Sequence, residues 1–404
     1  MDTVEIICNG VSKVTVLKSI VMENSEVLRS IIENYPENTP CRIATDFTYS
    51  NMVKVIKYME TKEVELISFV EGIEIYEIAQ NAKIVGLQSV CRTYLIQTMD
   101  VYSVSNVYKT ARKHGDLLLQ YNCWKTFSST MSVMVKNAFI FCDKETLYRI
   151  VSRPIYEDLS EIQLFDGLVA WAKLKISLLD TKNENKKVFG ERIRKFMEPL
   201  LPNIRFLAMS LDELKQRVFP LCILTDNEAK SIESYFTNKN LTNYPKNFSW
   251  NNYQRKKETY TSLFLYRHRK SPSTRCEKKM IKVTQFTCEV QVKNDCFIVG
   301  ISLPIKYTSA QEKTVFVNGY VDKEKSGVTT QQCYCDGHGK VNLSELIYLK
   351  SNSICRLLAN VVDTEVMEHS DIIILEEADL FSPDKDQKKE DIFDNIYFDV
   401  KLYF

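Results

Sequence analysis

The spacing of apolar residues changes along this 404-residue chain, and each spacing admits one kind of element. Near the start, Val4, Ile6 and Cys8 alternate with Glu5 and Asn9, the period of a half-buried strand. Asn9-Gly10 predicts a turn, and Val14 and Val16 a second strand. Val27, Leu28, Ile31 and Ile32 then follow helical spacing. Met52, Val55, Ile56 and Met59 fall at i, i+3, i+4 and i+7, one face of a helix. A further helix is expected through Ile75, Ile78, Ala79 and Ala82, continuing towards Val90 and Tyr94. From about residue 101 to 237 the helical period takes over. Leu164, Phe165, Leu168 and Trp171 form a stripe flanked by Glu161 and Asp166, and Pro199, Pro202 and Pro220 separate successive helices. Ser210-Leu211-Asp212-Glu213 and Thr225-Asp226-Asn227-Glu228 have the pattern of capping boxes. Beyond about residue 280 the period returns to two. Phe297, Val299, Ile301 and Leu303 are expected on one face. So are Ile396, Phe398, Val400, Leu402 and Phe404, with Tyr397, Asp399, Lys401 and Tyr403 opposite. Asn318-Gly319 and Asp336-Gly337 are expected turns. The pattern predicts an antiparallel sandwich or barrel whose last strand is the end of the chain.

This is an α+β stretch, an all-α stretch and an all-β stretch, too much sequence for one core. The expected boundaries are residues 1–100, 101–240 and 281–404, with 241–280 a polar basic linker and first strand. A composition of 45% hydrophobic and 26% charged residues excludes wholesale disorder. Lys plus Arg number 53 against 52 Asp plus Glu, a net charge of +1, so no nucleic-acid partner is expected. The opening Met1-Asp2-Thr3-Val4-Glu5 lacks the basic and apolar regions of a secretory leader. A reducing, cytoplasmic setting is therefore expected, with the twelve cysteines acting as small buried hydrophobes and the sequons at Asn240, Asn247 and Asn342 unused. Apolar runs such as Leu164 to Leu168 fall well short of the roughly 20 residues that cross a bilayer, so no membrane partner is expected.

Reactive motifs are scarce. The four histidines, His114, His268, His338 and His369, form no HExxH, and there is no G-x-S-x-G elbow and no phosphate-cradling glycine loop. The best metal candidate is Cys333-Tyr334-Cys335-Asp336-Gly337-His338, with Cys296 or Cys355 as a fourth ligand. A C-x-C spacing is unusual for zinc, and strand neighbours on alternate faces do not chelate together, so neither metal nor cofactor is expected. Cys123 and Cys142 fall on helical segments as core residues, and no cysteine is paired with an activating base. An enzyme is not expected. From Arg255 to Lys282 ten Lys/Arg face two Glu, a net of +8; from Asp371 to Asp399 ten acidic residues face three Lys, a net of −7. With Tyr260, Phe264 and Tyr266 interleaved, the basic run could hold RNA or an anionic membrane, or act as a nuclear signal. Mutual neutralisation of the two runs, or plain solvation, is the expected outcome, and Ser382 to Asp391 is expected as a loop between strands.

Val4-Glu5-Ile6-Ile7-Cys8-Asn9-Gly10, Lys18 and Ser25-Glu26-Val27-Leu28 resemble the opening of a BTB/POZ domain, and Tyr58 to Leu66 its helix-to-next-element junction. Cys123-Trp124, Glu161-Ile162-Gln163-Leu164-Phe165 with Trp171, Ile204-Arg205-Phe206, Met209 to Leu214 and Ile223-Leu224-Thr225 resemble a BACK domain. Phe297 to Leu303, Asp336-Gly337 and Leu402-Tyr403-Phe404 resemble the PHR sandwich. The resemblance, which covers essentially the whole chain, implies an α+β BTB/POZ domain, an all-α BACK helical domain and an all-β PHR-like antiparallel sandwich. Proteins of this order are typically substrate adaptors of cullin-3-type ubiquitin ligases. BTB and BACK hold the cullin, the sandwich holds a client protein, and another subunit carries out transfer by proximity. Many BTB domains offer the cullin a hydrophobic-x-Glu motif, here matched by Tyr35-Pro36-Glu37, which also reads as a surface turn. A hairpin around Val104, Val107, Leu117 and Leu118 would extend the cullin groove by its outer edge, the rest being core. Client-selecting loops fall around Pro304 to Lys313 and Gly337 to Lys340. Where the family has a His before its first core-helix Lys, this chain has Leu17 before Lys18, and packing is expected to replace a buried polar contact. The chain opens at the first core strand, without the segment many BTB dimers exchange, which leaves homodimerisation open. The alternative is a non-ligase BTB scaffold or transcriptional-regulator partner, cytoplasmic or nuclear.

Overall fold

The structure, a computed structural model, describes residues 3–36, 39–137, 139–153, 159–177, 185–239, 244–255, 263–265, 285–292, 295–303, 312–321, 329–362 and 399–403. It is mixed α/β at the N-terminal end, helical in the middle and antiparallel β at the C-terminal end. Two compact units are formed: residues 1–148 with 163–197, and 149–162 with 198–404.

In the first unit, β1 (Thr3–Cys8) pairs antiparallel with β2 (Ser12–Leu17) through a turn in which Asn9 and Gly10 both take left-handed backbone, φ 47° and 69°. Those two residue types reach that conformation at least cost, so the predicted turn forms. Two helices follow, α1 (Lys18–Asn24) and α2 (Glu26–Glu33), and they carry the chain across to β3 (Cys41–Thr45), which runs parallel to β1. Parallel pairing requires such a crossover. Val4, Ile6, Cys8, Val16 and Cys41 are buried, beneath α1 and α3 (Tyr49–Thr61), whose Met52, Val55, Ile56 and Met59 are buried as their spacing predicts. Leu17 does not pack as expected. It is 49% exposed and caps α1 without a side-chain hydrogen bond, because strand alternation turns it opposite to Val16.

The helix expected through Ile75 to Tyr94 is two helices, α4 (Phe69–Asn81) and α5 (Val85–Thr98). Lys83 breaks it with φ 50°, and Ile84 donates its N–H back to Ala79 O at 2.9 Å. The break lets Ile84 and Leu87 bury beside Ile75, Ile78 and Ala79. Five helices continue the chain: α6 (Val104–His114), α7 (Leu117–Asn137), α8 (Lys144–Ser152), α9 (Glu161–Ser177) and α10 (Lys186–Met197). Trp171 on α9 is buried and donates its indole N–H to Cys142 O at 3.0 Å.

In the second unit, Ser210 and Thr225 cap α11 (Leu211–Glu213) and α12 (Asp226–Asn238). Each predicted capping box is complete. Glu213 accepts from Ser210 N at 2.7 Å and Glu228 from Thr225 N at 2.8 Å, while each hydroxyl accepts from the glutamate's own amide. Residues 244–255, within the stretch expected as linker, are packed rather than free. Tyr244 and Phe248 are buried, the Phe206 and Phe248 rings lie 5.3 Å apart, and Arg255 is inserted among polar partners. Its guanidinium pairs with both oxygens of Glu161, at 2.9 and 3.1 Å, and donates to the carbonyls of Asn203 (2.8 Å) and Arg153. Glu161 Oε1 also accepts from Arg205 N at 2.9 Å.

The C-terminal strands are β4 (Leu263–Leu265), β5 (Gln285–Gln291), β6 (Cys296–Ser302), β7 (Lys313–Val321), β8 (Thr329–Cys335), β9 (Lys340–Leu349), β10 (Ile354–Val362) and β11 (Asp399–Tyr403). They form one antiparallel sheet in the order β4-β11-β6-β9-β8-β7-β10-β5. Among the described residues, the only ladder pair between β8 and β9 is Cys335 with Val341. Beyond that point Gln331 replaces the ladder, its side chain bonding Glu345 N (2.8 Å), Glu345 O (2.9 Å) and Ser344 Oγ (3.0 Å). The sheet therefore curls there, and the inward faces of β5 to β11 bury one shared apolar core.

Two strand expectations are corrected. Asn318-Gly319 is no turn but lies inside β7, laddered to Thr330 and Thr329 on one side and to Leu358 and Leu357 on the other. In β6, Val299 is an extra residue against β11, where Gly300 faces Lys401 and Ile298 faces Leu402. This bulge shifts the alternation by one, so Cys296, Ile298, Ile301 and Leu303 line the core rather than Phe297 and Val299. Gly300 permits it: a Cβ there would meet Val341 O at 2.7 Å. The Asp336-Gly337 turn does form, with Asp336 Oδ1 accepting from His338 N and Lys340 N, each at 2.9 Å, and Gly339 at φ 80°. Val400 and Leu402 face the core, while Tyr403 is buried on the other side with the Arg153 guanidinium 5.6 Å from its ring. Ile396, Phe398 and Phe404 lie outside the described residues, as do residues 304–311, the acidic run short of Asp399 and most of the basic run.

Removing Arg255 leaves the Glu161 carboxylate buried without its counter-ion. Arg255→Ala is expected to lower the unfolding free energy by about 3–5 kcal/mol. Urea titration followed by circular dichroism measures this, with Glu161→Ala/Arg255→Ala costing less than the sum of the single changes.

Candidate interaction surface

Two edges of the first unit carry the residues expected to meet a cullin. The first begins at Ser25, whose hydroxyl accepts from Leu28 N at 3.1 Å and donates to Ala82 O at 2.5 Å, so that it caps α2 and ties it to the end of α4. With its start fixed, α2 buries Ile32 and leaves Ile31 exposed. Tyr35 follows one turn on, half-buried, its N–H donated to Ile32 O at 3.2 Å. Thr39 donates its hydroxyl to Pro36 O at 2.8 Å. Glu37 lies outside the described residues.

The second edge is the α6–α7 hairpin. Gly115, at φ 67°, ends α6, and Asp116 starts α7 by accepting from Leu119 N at 3.0 Å. The same carboxylate accepts from Tyr76 Oη and Arg92 Nε, both at 2.6 Å, from α4 and α5. Burial and the hydrogen bond to Asp116 push the Tyr76 phenol far above its ordinary pKa. The first turn of α7 is thus fixed by three polar contacts at a buried carboxylate. From there Leu117 is half-buried and Leu118 is 47% exposed, with Tyr121 half-buried under Lys125, whose Nζ lies 5.5 Å from the ring. Val104 and Val107 have no exposed surface and pack in the core with Tyr108 and Ala111. The hairpin therefore presents Leu117, Leu118 and Tyr121 outward.

Spacing alone does not reveal Asp116, although Gly115-Asp116-Leu117 is a helix-stop followed by a helix-start, a signal the sequence does carry. Tyr121, outside the expected set, shares the face of Leu117 and Leu118 at helical spacing, a signal the sequence also carries.

The thiols are arranged for packing. Ten described cysteines are buried, and Cys222 is half-buried. Burial raises Cys142 to about 11 and Cys91 and Cys296 to about 12, and it raises Cys123 too, so these sulfurs are held as neutral thiols. The expectation that Cys333 and Cys335 fall on alternate faces is corrected: residues two apart on a strand point the same way, and both face inward. His338 is exposed on the hairpin turn. Among the described residues no three His, Cys, Asp or Glu side chains converge to hold a metal ion, and no helix is long and apolar enough to cross a membrane. No family model matches the chain, and no curated protein matches it.

Alkylation of the native chain by iodoacetamide at about pH 8, mapped by peptide mass, is expected to label Cys222 first among the described cysteines. The ten buried thiols react only after denaturant is added.

Proposed function

We propose that this chain is a non-catalytic substrate adaptor of a cullin-3-type ubiquitin ligase, built as a BTB/POZ-like α+β domain, a BACK-like helical domain and a PHR-like β-sandwich. The observation that carries the reading is the order of architectures in one chain. A three-stranded mixed sheet with helices comes first, then a run of helices, then an eight-stranded antiparallel sheet. That order, mixed α/β then helical then antiparallel β, is the one the resemblance implies, and it supports the reading.

The surfaces support the reading. An adaptor needs apolar anchors held rigidly at the edge of its partner-facing elements. Ile31 and Tyr35 at the end of α2, and Leu117, Leu118 and Tyr121 at the start of α7, have that character. The second set stands beside a helix start fixed at Asp116, and the first lies at the far end of a helix whose start is fixed at Ser25. Val104 and Val107 act beneath them as packing. The client is a protein held by the curled sheet, whose Asp336–Lys340 hairpin is stiffened by its own carboxylate. Ubiquitin transfer is then a matter of position, and its chemistry belongs to another subunit.

Calorimetric titration of the cullin-3 N-terminal domain into the full chain tests the proposal. Full length is required because a cut near residue 240 would remove Arg255 from Glu161. Submicromolar binding is expected, weakened at least about tenfold by Tyr35→Ala or Leu118→Glu with the melting curve unchanged. Absence of binding at tens of micromolar by a folded sample would assign the chain to the non-ligase scaffold reading instead.

A further inference from the structure

A second apolar surface lies on the first unit, on elements the cullin reading does not use. Ile140, Ala170, Lys173, Leu174, Ser177 and Phe189 line a shallow groove. Ala170, Lys173, Leu174 and Ser177 recur every three or four residues, so they form one stripe of α9. Across from them, Phe189 belongs to the first turn of α10, and Ile140 to the short turn of helix Phe139–Phe141. Leu174 is 37% exposed, and the next residue of that turn, Phe141, is 53% exposed and stacks edge-on to Tyr102 with ring centroids 6.2 Å apart.

The rim of the groove is basic. Lys173 is part of the lining, and Lys186 stands one helical turn before Phe189 on the same side of α10. Over its twelve residues α10 carries five Lys/Arg against the single carboxylate Glu191. A basic helix alone is ordinarily a solvated face. Here it borders exposed Ile140, Leu174 and Val188, so that positive charge and apolar surface lie side by side. An occupant must offer an apolar stripe about as long as two or three helical turns, flanked by negative charge.

We infer that this groove is a docking site for an acidic amphipathic helix of a partner protein. Leucine or phenylalanine side chains at i, i+3 or i+4 and i+7 fill it between α9 and α10, and glutamates or aspartates on their flanks meet Lys173 and Lys186. The basic rim speeds encounter and excludes cationic helices, while the apolar floor supplies the hold.

The test is fluorescence anisotropy of the full chain with a labelled helix-forming peptide of about 16 residues, Leu at helical spacing and Glu elsewhere, beside a counterpart with Lys for every Glu. The Glu peptide is expected to bind at least about tenfold more tightly than the Lys peptide, and to weaken with added salt. Leu174→Glu is expected to weaken it at least about tenfold, and Ile140→Glu on the opposite wall does the same should the first variant melt early. Equal affinity for both peptides, or Glu-peptide binding unchanged by Leu174→Glu and Ile140→Glu in folded protein, overturns the inference. So does full competition by a short RNA, which would mark a site for polyanions at large. Concentration-dependent doubling of the mass by light scattering, abolished by Leu174→Glu, would overturn it too and assign the groove to a second copy of the chain. Cullin binding is unaffected by these variants, so the adaptor proposal and this one fail separately.

Discussion

A carboxylate with no exposed surface is tolerable only where something has been built to hold its charge, and in the second unit that carboxylate is Glu161. It opens α9, where the helix N-terminus already favours an anion, and it accepts from Arg205 N and from two nitrogens of Arg255. The same guanidinium also donates to the carbonyls of Arg153 and Asn203. One side chain from residue 255 thereby joins the end of α8, the start of α9 and the turn at Leu201–Asn203. Gln254 repeats the arrangement beside it, accepting from Glu161 N and donating to Ala208 O. Aromatic packing around Phe206, Tyr244 and Phe248 has room to slide; a bidentate ion pair has one geometry. The pair therefore fixes residue 255 against the end of α8 and the start of α9.

A similar device operates where the helices meet the sheet within that unit. Arg149 pairs with Asp295, which also accepts from Tyr348 Oη at 2.6 Å and Ser351 N at 2.8 Å. One turn later along the chain, Arg153 lies over Tyr403. Arginine suits both positions because its planar fork bonds in two directions and stacks on a ring as well. The first unit uses an aspartate instead. Asp116 collects Tyr76, Arg92 and the first turn of α7, with the hydroxyl and guanidinium coming from separate helices. In all three cases a charge drawn largely out of solvent fixes an element end, which apolar contact by itself does not do.

Periodicity reports burial, and so the sequence is legible wherever an element is regular. Met52, Val55, Ile56 and Met59 lie where the 3.6 period places them, and Val4, Ile6 and Cys8 where the period of two does. Both capping boxes are legible because a cap is local chemistry over four residues. Irregularities are not. Val299 inserts one residue into β6 and inverts the face that Phe297 and Ile301 are expected to share. Asn318-Gly319 carries a turn's residues within a strand, because its neighbours on both sides supply ladders that outweigh local preference. Lys83 ends a helix in left-handed backbone without the glycine that ordinarily announces such an end. Residues 244–255 are polar enough to read as a linker, and their few aromatics and one arginine carry nearly all the burial. The candidate surface divides likewise. Spacing finds Leu117 and Leu118, whereas Asp116, which aims them, acts through partners 24 and 40 residues away.

Those anchors bear directly on what the surfaces can do. A partner gains little from an apolar side chain that must be ordered on binding, since the entropy of ordering offsets the contact. Leu118 is two residues beyond a carboxylate held by three donors, and Tyr35 two residues beyond a helix whose start is tied to α4. Their exposure is thus presented on backbone that is already ordered. The groove along α9 is built the same way, for Trp171 clamps that helix to Cys142 O immediately beside the stripe of Ala170 and Leu174. For the adaptor function proposed above, edges ordered in this way matter more than reactive groups. The buried thiols and the charges at element ends are committed to the packing of the chain, and on the proposed function a partner would be met by leucine, tyrosine and phenylalanine at the rims.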